Sequence, residues 1–173
     1  MELLEARGQF IEAWGTLGSN WGINRAMAQI HAVLLVAEQP MCTEEIMEEL
    51  GMSRGSANTN IRTLIDWRLV EKRLKIGERK EFFLAEKDIW KVFTKIVYER
   101  RKKELEPLRL LLNNLKHIET SSKKSKEEVA FLTMINQLDD FTSLADKMLL
   151  RLMNEQESWF LQTLTKVLKI SAK

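Results

Sequence analysis

Apolar residues recur at helical spacing along most of this chain. Over residues 2–18, continuing to position 21, Leu3, Phe10, Trp14, Leu17 and Trp21 keep one face apolar and predict a first helix. The run WGIN then breaks the pattern. Met27, Ile30, Val33 and Leu34 predict a second helix over residues 25–38, which Pro40 stops. MCT reads as one short strand. TEEIMEEL predicts a short third helix with Thr43 as its N-cap, acids in the first turn where they favour the helix dipole, and Gly51 just past its end.

The stretch SRGSANTNIR, residues 53–62, is composed of poor helix formers and resembles a loop at first sight. Ala57, Ile61, Leu64 and Ile65 nevertheless fall on one helical stripe, and Ser53 is a preferred N-cap. A helix running to about Trp67 is therefore predicted, held by packing rather than by propensity. RLVEKRLKI and EFFLA flank GERK, a turn containing Gly77, and together predict a β-hairpin. From Asp88 the pattern is helical again, with Ile89, Trp90, Phe93, Ile96 and Val97 facing inward and Pro107 kinking or restarting the helix. TSSKKSK, residues 120–126, reads as a linker. Beyond it Met134, Leu138, Phe141, Ala145, Met148 and Leu152 alternate steps of four and three, a heptad seam, and Trp159, Phe160, Leu164, Val167 and Leu168 extend the apolar content.

The fold class that follows is mainly α with a small β-hairpin: a winged helix-turn-helix flanked by N- and C-terminal dimerisation helices. Residues 1–20 form the N-terminal helix with a dimer contact. Residues 21–87 form the winged helix-turn-helix, and residues 88–173 a helical dimerisation region with its linker near 120–126. Composition agrees, since 173 residues with only 7 Gly and 2 Pro interrupt few helices. One cysteine, Cys42, excludes an internal disulfide and fits a reducing cytosol, and neither a secretory signal nor a membrane-length apolar run is expected.

Charge is distributed unevenly. Residues 1–50 carry 2 basic and 8 acidic side chains, residues 51–105 carry 15 and 8, and residues 106–173 carry 10 and 9. A basic middle marks a surface for a polyanion. The polar helix and the basic hairpin occupy that middle. A helix fits the major groove of DNA, and polar side chains on its N-terminal turns reach base edges. With Ala57 and Ile61 inward, the candidate contacts are Ser53, Arg54, Ser56, Asn58, Thr59, Arg62 and Thr63 on the helix. Lys72, Arg73, Lys75, Arg79 and Lys80 join them from the hairpin, with Arg79 placed for a minor groove.

Residues 21–90 resemble the MarR-type winged-helix repressors, and most of all their GbsR-like branch. The segments that carry the likeness are EELGMSRGSANTNIRTLIDW, LVEKR and GERKEFFLAE. The resemblance implies a homodimeric, cytoplasmic transcription factor on a pseudo-palindromic site in double-stranded DNA, with residues 53–62 as recognition helix, Arg79 as wing arginine and a small-molecule effector. Three positions depart from the pattern. Met47 stands where a small residue often packs, Arg68 replaces the glycine usual after the helix's tryptophan, and Asn24 replaces a frequent proline.

Other features have blander readings. Leu3, Phe10, Trp14, Leu17, Met134, Leu138, Phe141, Met148 and Leu152 present more apolar surface than one small winged helix covers, and are assigned to dimerisation. The five tryptophans read as core and dimer packing rather than as a cage for a quaternary ammonium. His31 and His117 lack partners at metal spacing, so neither a metal nor a cofactor is expected. Glu44, Glu45, Glu48 and Glu49 read as a solubilising face, and no catalytic motif is present. The alternative to a DNA-binding regulator is a winged-helix module that binds protein or RNA.

Overall fold

A computed structural model describes residues 1–118 and 125–154. The described chain is mainly helical with one three-stranded antiparallel sheet, and it divides into two compact units, Met1–Lys95 and Ile96–Lys173.

The first unit contains α1 (Leu3–Asn20), α2 (Arg25–Val36), β1 (Met41–Cys42), α3 (Thr43–Leu50), α4 (Arg54–Asp66), β2 (Val70–Leu74), β3 (Glu81–Ala85) and the start of α5 (Ile89–Arg100). Side chains cap its helices. Asn24 Oδ1 accepts the Met27 N–H at 3.2 Å, and Ser53 Oγ accepts the Ser56 N–H at 3.3 Å. The cap expected at Thr43 lies one residue earlier. Cys42 keeps an extended backbone, and its N–H donates to Glu45 Oε2 at 2.6 Å, so Thr43 is already helical. Gly51 ends α3 at φ 61°, in the left-handed region where a side chain is unfavourable.

Helix α2 is the centre of the core. Met27, Ile30, Val33 and Leu34 are buried, together with Ile46 of α3, Ala57, Ile61 and Leu64 of α4, and Phe82 and Phe83 of β3. This burial explains why α4 is helical despite its composition. Gly55, Ser56, Asn58, Thr59 and Asn60 cost about 3 kcal/mol in propensity together. Ile61 and Leu64 alone contribute about 3–6 kcal/mol when buried.

The face of α1 that packs on α2 centres on positions outside its apolar stripe. Ile11, Gly15 and Gly18 are the buried positions, whereas Leu3 and Leu17 are exposed. A Cβ at Gly18 would stand 2.5 Å from Ala28 Cβ, and one at Gly15 would stand 2.7 Å from Gln29 Cγ. The two helices approach closely because these positions carry no side chain. Phe10 and Trp14 flank the contact, half-buried against Ile11, Ala32 and Val33.

In the sheet, β3 lies between β1 and β2. Val70 pairs with Ala85 and Leu74 with Glu81, leaving residues 75–80 as the loop of the hairpin. The strand expected from Arg68 starts only at Val70, because Arg68 adopts a left-handed φ of 58°. Beyond β3, the Lys87 ammonium donates to the carbonyls of Leu34, Leu35 and Ala37 at 2.6–2.8 Å. A cation here satisfies the free carbonyls at the C-terminus of α2 and fixes the base of the hairpin to it.

In the second unit, α5 passes into a π-helical turn, Arg101–Leu105, then α6 (Glu106–Leu115) and, after the loop, α7 (Lys126–Asn154). Pro107 sits in the first turn of α6, where a missing N–H costs little. Helices α6 and α7 pack together with Leu112 and Ile135 buried. Asp146 of α7 is buried and accepts from both Arg101 (2.5 and 3.2 Å) and Arg109 (2.6 Å), while Arg101 also reaches Glu106 at 2.5 Å. Hydrogen bonds from Arg101 hold the Asp146 carboxyl below the usual carboxylate range despite its burial. Ser125 is the reciprocal cap of α7 with Glu128, so the expected linker gives way to helix there. Residues 120–124 of that linker, and Trp159, Phe160, Leu164, Val167 and Leu168, lie outside the described residues.

Candidate nucleic-acid interface

Helix α4 turns Ala57, Ile61 and Leu64 inward, so its remaining faces are polar. Arg54, Asn58, Thr59 and Arg62 are exposed. Ser53 is also exposed, with its hydroxyl engaged as the cap. Ser56 and Thr63 are half-buried. The Thr63 hydroxyl donates to the Thr59 carbonyl at 3.0 Å, and Asn60 Nδ2 donates to the Ser56 carbonyl at 2.9 Å. These two hydroxyl positions are therefore less free than the spacing suggested, and the open edge narrows to Arg54, Asn58, Thr59 and Arg62. Gly55 adds no side chain to that edge, and a Cβ there would meet nothing within 4 Å.

The hairpin places all five of its candidate cations at the surface. Lys72 pairs with Glu81 across the strands, and Arg73 pairs with Glu71. Lys75 stands 3.9 Å above the Phe82 ring centroid. Arg79 lies in the loop and, like Arg62, forms no ion pair among the described residues. Leu74 and Ile76 are exposed beside these cations.

One carboxylate of the acidic face read from the sequence has a more specific place. Glu44, in the first turn of α3, accepts from Arg54 Nη2 at 2.7 Å and lies 4.0 Å from Lys80 Nζ. Its own backbone N–H and the Arg54 guanidinium hold the Glu44 carboxyl below the ordinary range. Sequence spacing contains no sign of this junction, because its three members lie on separate elements.

The same unit offers little for catalysis. Burial pushes the Cys42 thiol up, which keeps it protonated and weakly nucleophilic. Among the described residues, no group of three or more His, Cys, Asp or Glu is placed to hold a metal, and no helix is long and apolar enough to cross a membrane.

Residues 28–72 match the family model for the bacterial regulatory protein, ArsR family. The chain is 30% identical to the HTH-type transcriptional repressor GbsR of Bacillus subtilis (strain 168), over 59% of this chain and 56% of that protein. It is 24% identical to the HTH-type transcriptional repressor OpcR of the same organism, over 80% of this chain and 68% of that one. It thus spans little more than half the length of GbsR. A crystal structure of a transcriptional regulator superposes with a TM-score of 0.65 at 16% identity, covering 86% of this chain and 95% of the other. That likeness shows a shared fold.

Proposed function

We propose that this chain, a winged-helix relative of the GbsR and OpcR regulators, is a sequence-specific DNA-binding transcriptional regulator that acts as a homodimer. The carrying observation is the thin polar edge of α4 beside a cationic hairpin, with Arg62 and Arg79 free of carboxylate partners among the described residues. Helix α4 enters the major groove, where Asn58 reads adenine and Arg62 reads guanine in bidentate fashion, and Arg79 of the hairpin takes the minor groove. Repression is the sign of regulation suggested by the printed names of the two relatives. A small-molecule effector belongs to this reading through the family resemblance.

The dimer is supported by unburied apolar surface. On α7 the heptad positions Met134, Leu138, Phe141 and Met148 are exposed, Phe141 at 69% and Met148 at 61%, and Leu108 and Leu111 of α6 are exposed as well. Leu152 is half-buried. A face of this composition on a helical pair fits a second copy of itself. A two-fold axis then sets two α4 helices about 34 Å apart on a pseudo-palindrome.

The test is a titration of labelled DNA from upstream of the protein's own gene against a scrambled duplex at several salt concentrations. Preference for the native duplex supports the proposal, and Asn58→Ala or Arg62→Ala should each reduce that preference by about 1–3 kcal/mol. Arg79→Ala should weaken both duplexes and flatten the salt dependence by about one unit. Equal weak binding to both duplexes refutes specific readout. Light scattering should give twice the 20.2 kDa chain mass, and a monomer at micromolar concentration removes the dimer.

A further inference from the structure

We propose that Glu44 is a specificity-determining residue, an internal competitor that keeps Arg54 and Lys80 off the phosphates of random DNA. The inference rests on the reading of α4 and the hairpin as the DNA-binding surface. Its basis is a junction of three elements. Arg54 is the first residue of α4, Lys80 closes the hairpin loop just before β3, and Glu44 of α3 contacts the first through one carboxylate oxygen and faces the second with the other.

Stability does not account for the arrangement. All three side chains are more than a third exposed, Glu44 at 41%, and exposed pairs contribute little to folding. Field effects do account for it. The N-terminus of a helix attracts phosphate, and an arginine there strengthens the attraction. A carboxylate 2.7 Å from that arginine cancels its charge and repels an incoming phosphate. The hairpin carboxylates Glu71 and Glu81 each neutralise a neighbour on their own hairpin, whereas Glu44 acts on both elements of the interface.

Such repulsion separates right from wrong sites. A complex on random DNA is held by phosphates and gains from every free cation. On a cognate site, base contacts from Asn58, Thr59 and Arg62 fix the register, and the first turns of α4 stand at base edges. The Arg54–Glu44 pair then remains closed at little cost. Specificity rises because the unwanted complex is penalised more than the wanted one.

Glu44→Gln tests this, since the amide keeps the acceptor oxygen and the size while losing the charge. Releasing two cations should steepen the slope of log affinity against log salt on random DNA by about one to two units. Each unit corresponds to roughly ten-fold tighter binding at 0.1 M salt than at an extrapolated 1 M. Affinity for the native duplex should change less, so the specificity ratio falls. Arg54→Ala in the native background should flatten the random-DNA slope by less than it does in the Glu44→Gln background, because Glu44 already occupies that cation. In the Glu44→Gln background the same change should reverse about one unit of slope. An unchanged slope and ratio in Glu44→Gln, with Arg79→Ala still flattening the slope, overturns the inference and leaves the DNA reading standing. An equal effect of Arg54→Ala in the native and Glu44→Gln backgrounds also overturns it, and Glu44→Ala, read the same way, replaces Glu44→Gln if that variant does not fold. Absence of binding by the unaltered protein overturns the DNA reading and this inference together.

Discussion

His31 lies in the centre of α2, 2% exposed, with its Nε2 buried and lacking a hydrogen-bond partner among the described residues. The Trp14 ring lies 6.1 Å from it, centroid to centroid. Burial first, and then the charges of Lys87 and Lys95, lower its pKa from 6.5 to about 4. The folded value is below the unfolded one, so the unfolded chain binds a proton that the native chain refuses. Above pH 7 both states are neutral and the residue contributes no pH dependence. As pH falls below 6.5, stability is lost until about pH 4, by about 2 kcal/mol at pH 5 and about 3 kcal/mol at pH 4. His31→Leu removes the titration and the unpartnered nitrogen, which itself costs about 1–3 kcal/mol. At pH 7.5 the variant should therefore be at least as stable as the native chain. At pH 5 it should gain about 2 kcal/mol more relative to it. Urea unfolding followed by tryptophan fluorescence at pH 7.5, 6 and 5, at one fixed protein concentration, measures the difference between the two chains. Every other titrating group cancels in that difference. A gap that is the same at pH 7.5 and pH 5 refutes the argument.

Three further substitutions probe the packing. Asp146→Asn leaves Arg101 and Arg109 without their shared counter-charge and should cost about 3–5 kcal/mol in denaturant unfolding; a cost under 1 kcal/mol would show the cluster to be solvated. Gly18→Ala forces a methyl to within 2.5 Å of Ala28 Cβ and should destabilise by about 1–3 kcal/mol, whereas Gly8→Ala, with nothing within 4 Å, should stabilise slightly; equal effects of the two on thermal unfolding would contradict the close α1–α2 approach. Arg68→Gly relieves about 1–2 kcal/mol of left-handed strain against about 0.5–1 of added chain entropy, so a lower melting temperature would count against strain at this position.

The parts of the fold that local spacing encodes were readable from the chain. Met27, Ile30, Val33 and Leu34 are buried as their period implies, and Ala57, Ile61 and Leu64 anchor α4 although its composition argues for a loop. The face of α1 that packs on α2 is not legible in the apolar spacing, because Gly15 and Gly18 carry no apolar signal. Their contribution is an absence, visible only once Ala28 and Gln29 stand opposite. Similarly, a preference for Thr over Cys as a cap misplaced the start of α3, where Cys42 in extended backbone sets the boundary. At the interface, spacing alone does not show that Ser56 and Thr63 are half-buried, that the Asn60 amide donates to the Ser56 carbonyl, or that the Thr63 hydroxyl donates back to the Thr59 carbonyl. Glu44 is legible in the sequence only as part of a solubilising acidic face. It looks like any other surface acid until folding brings α3, α4 and the hairpin together.

The π-helical turn at Arg101–Leu105 makes the segment a matter of phase. Residues eight apart on an unbroken α-helix point about 80° apart. A turn that absorbs one additional residue brings the same pair to within about 20°. Arg101 and Arg109 are eight apart and close on one carboxylate, so the extra residue is what puts both guanidiniums on the same side of the rod. Insertion and deletion in RKKEL are therefore not equivalent. A chain one residue shorter here would wind as a regular helix with the two arginines seven apart, about 20° from each other, and would keep the double grip on Asp146, whereas a chain one residue longer would open the pair to about 80°.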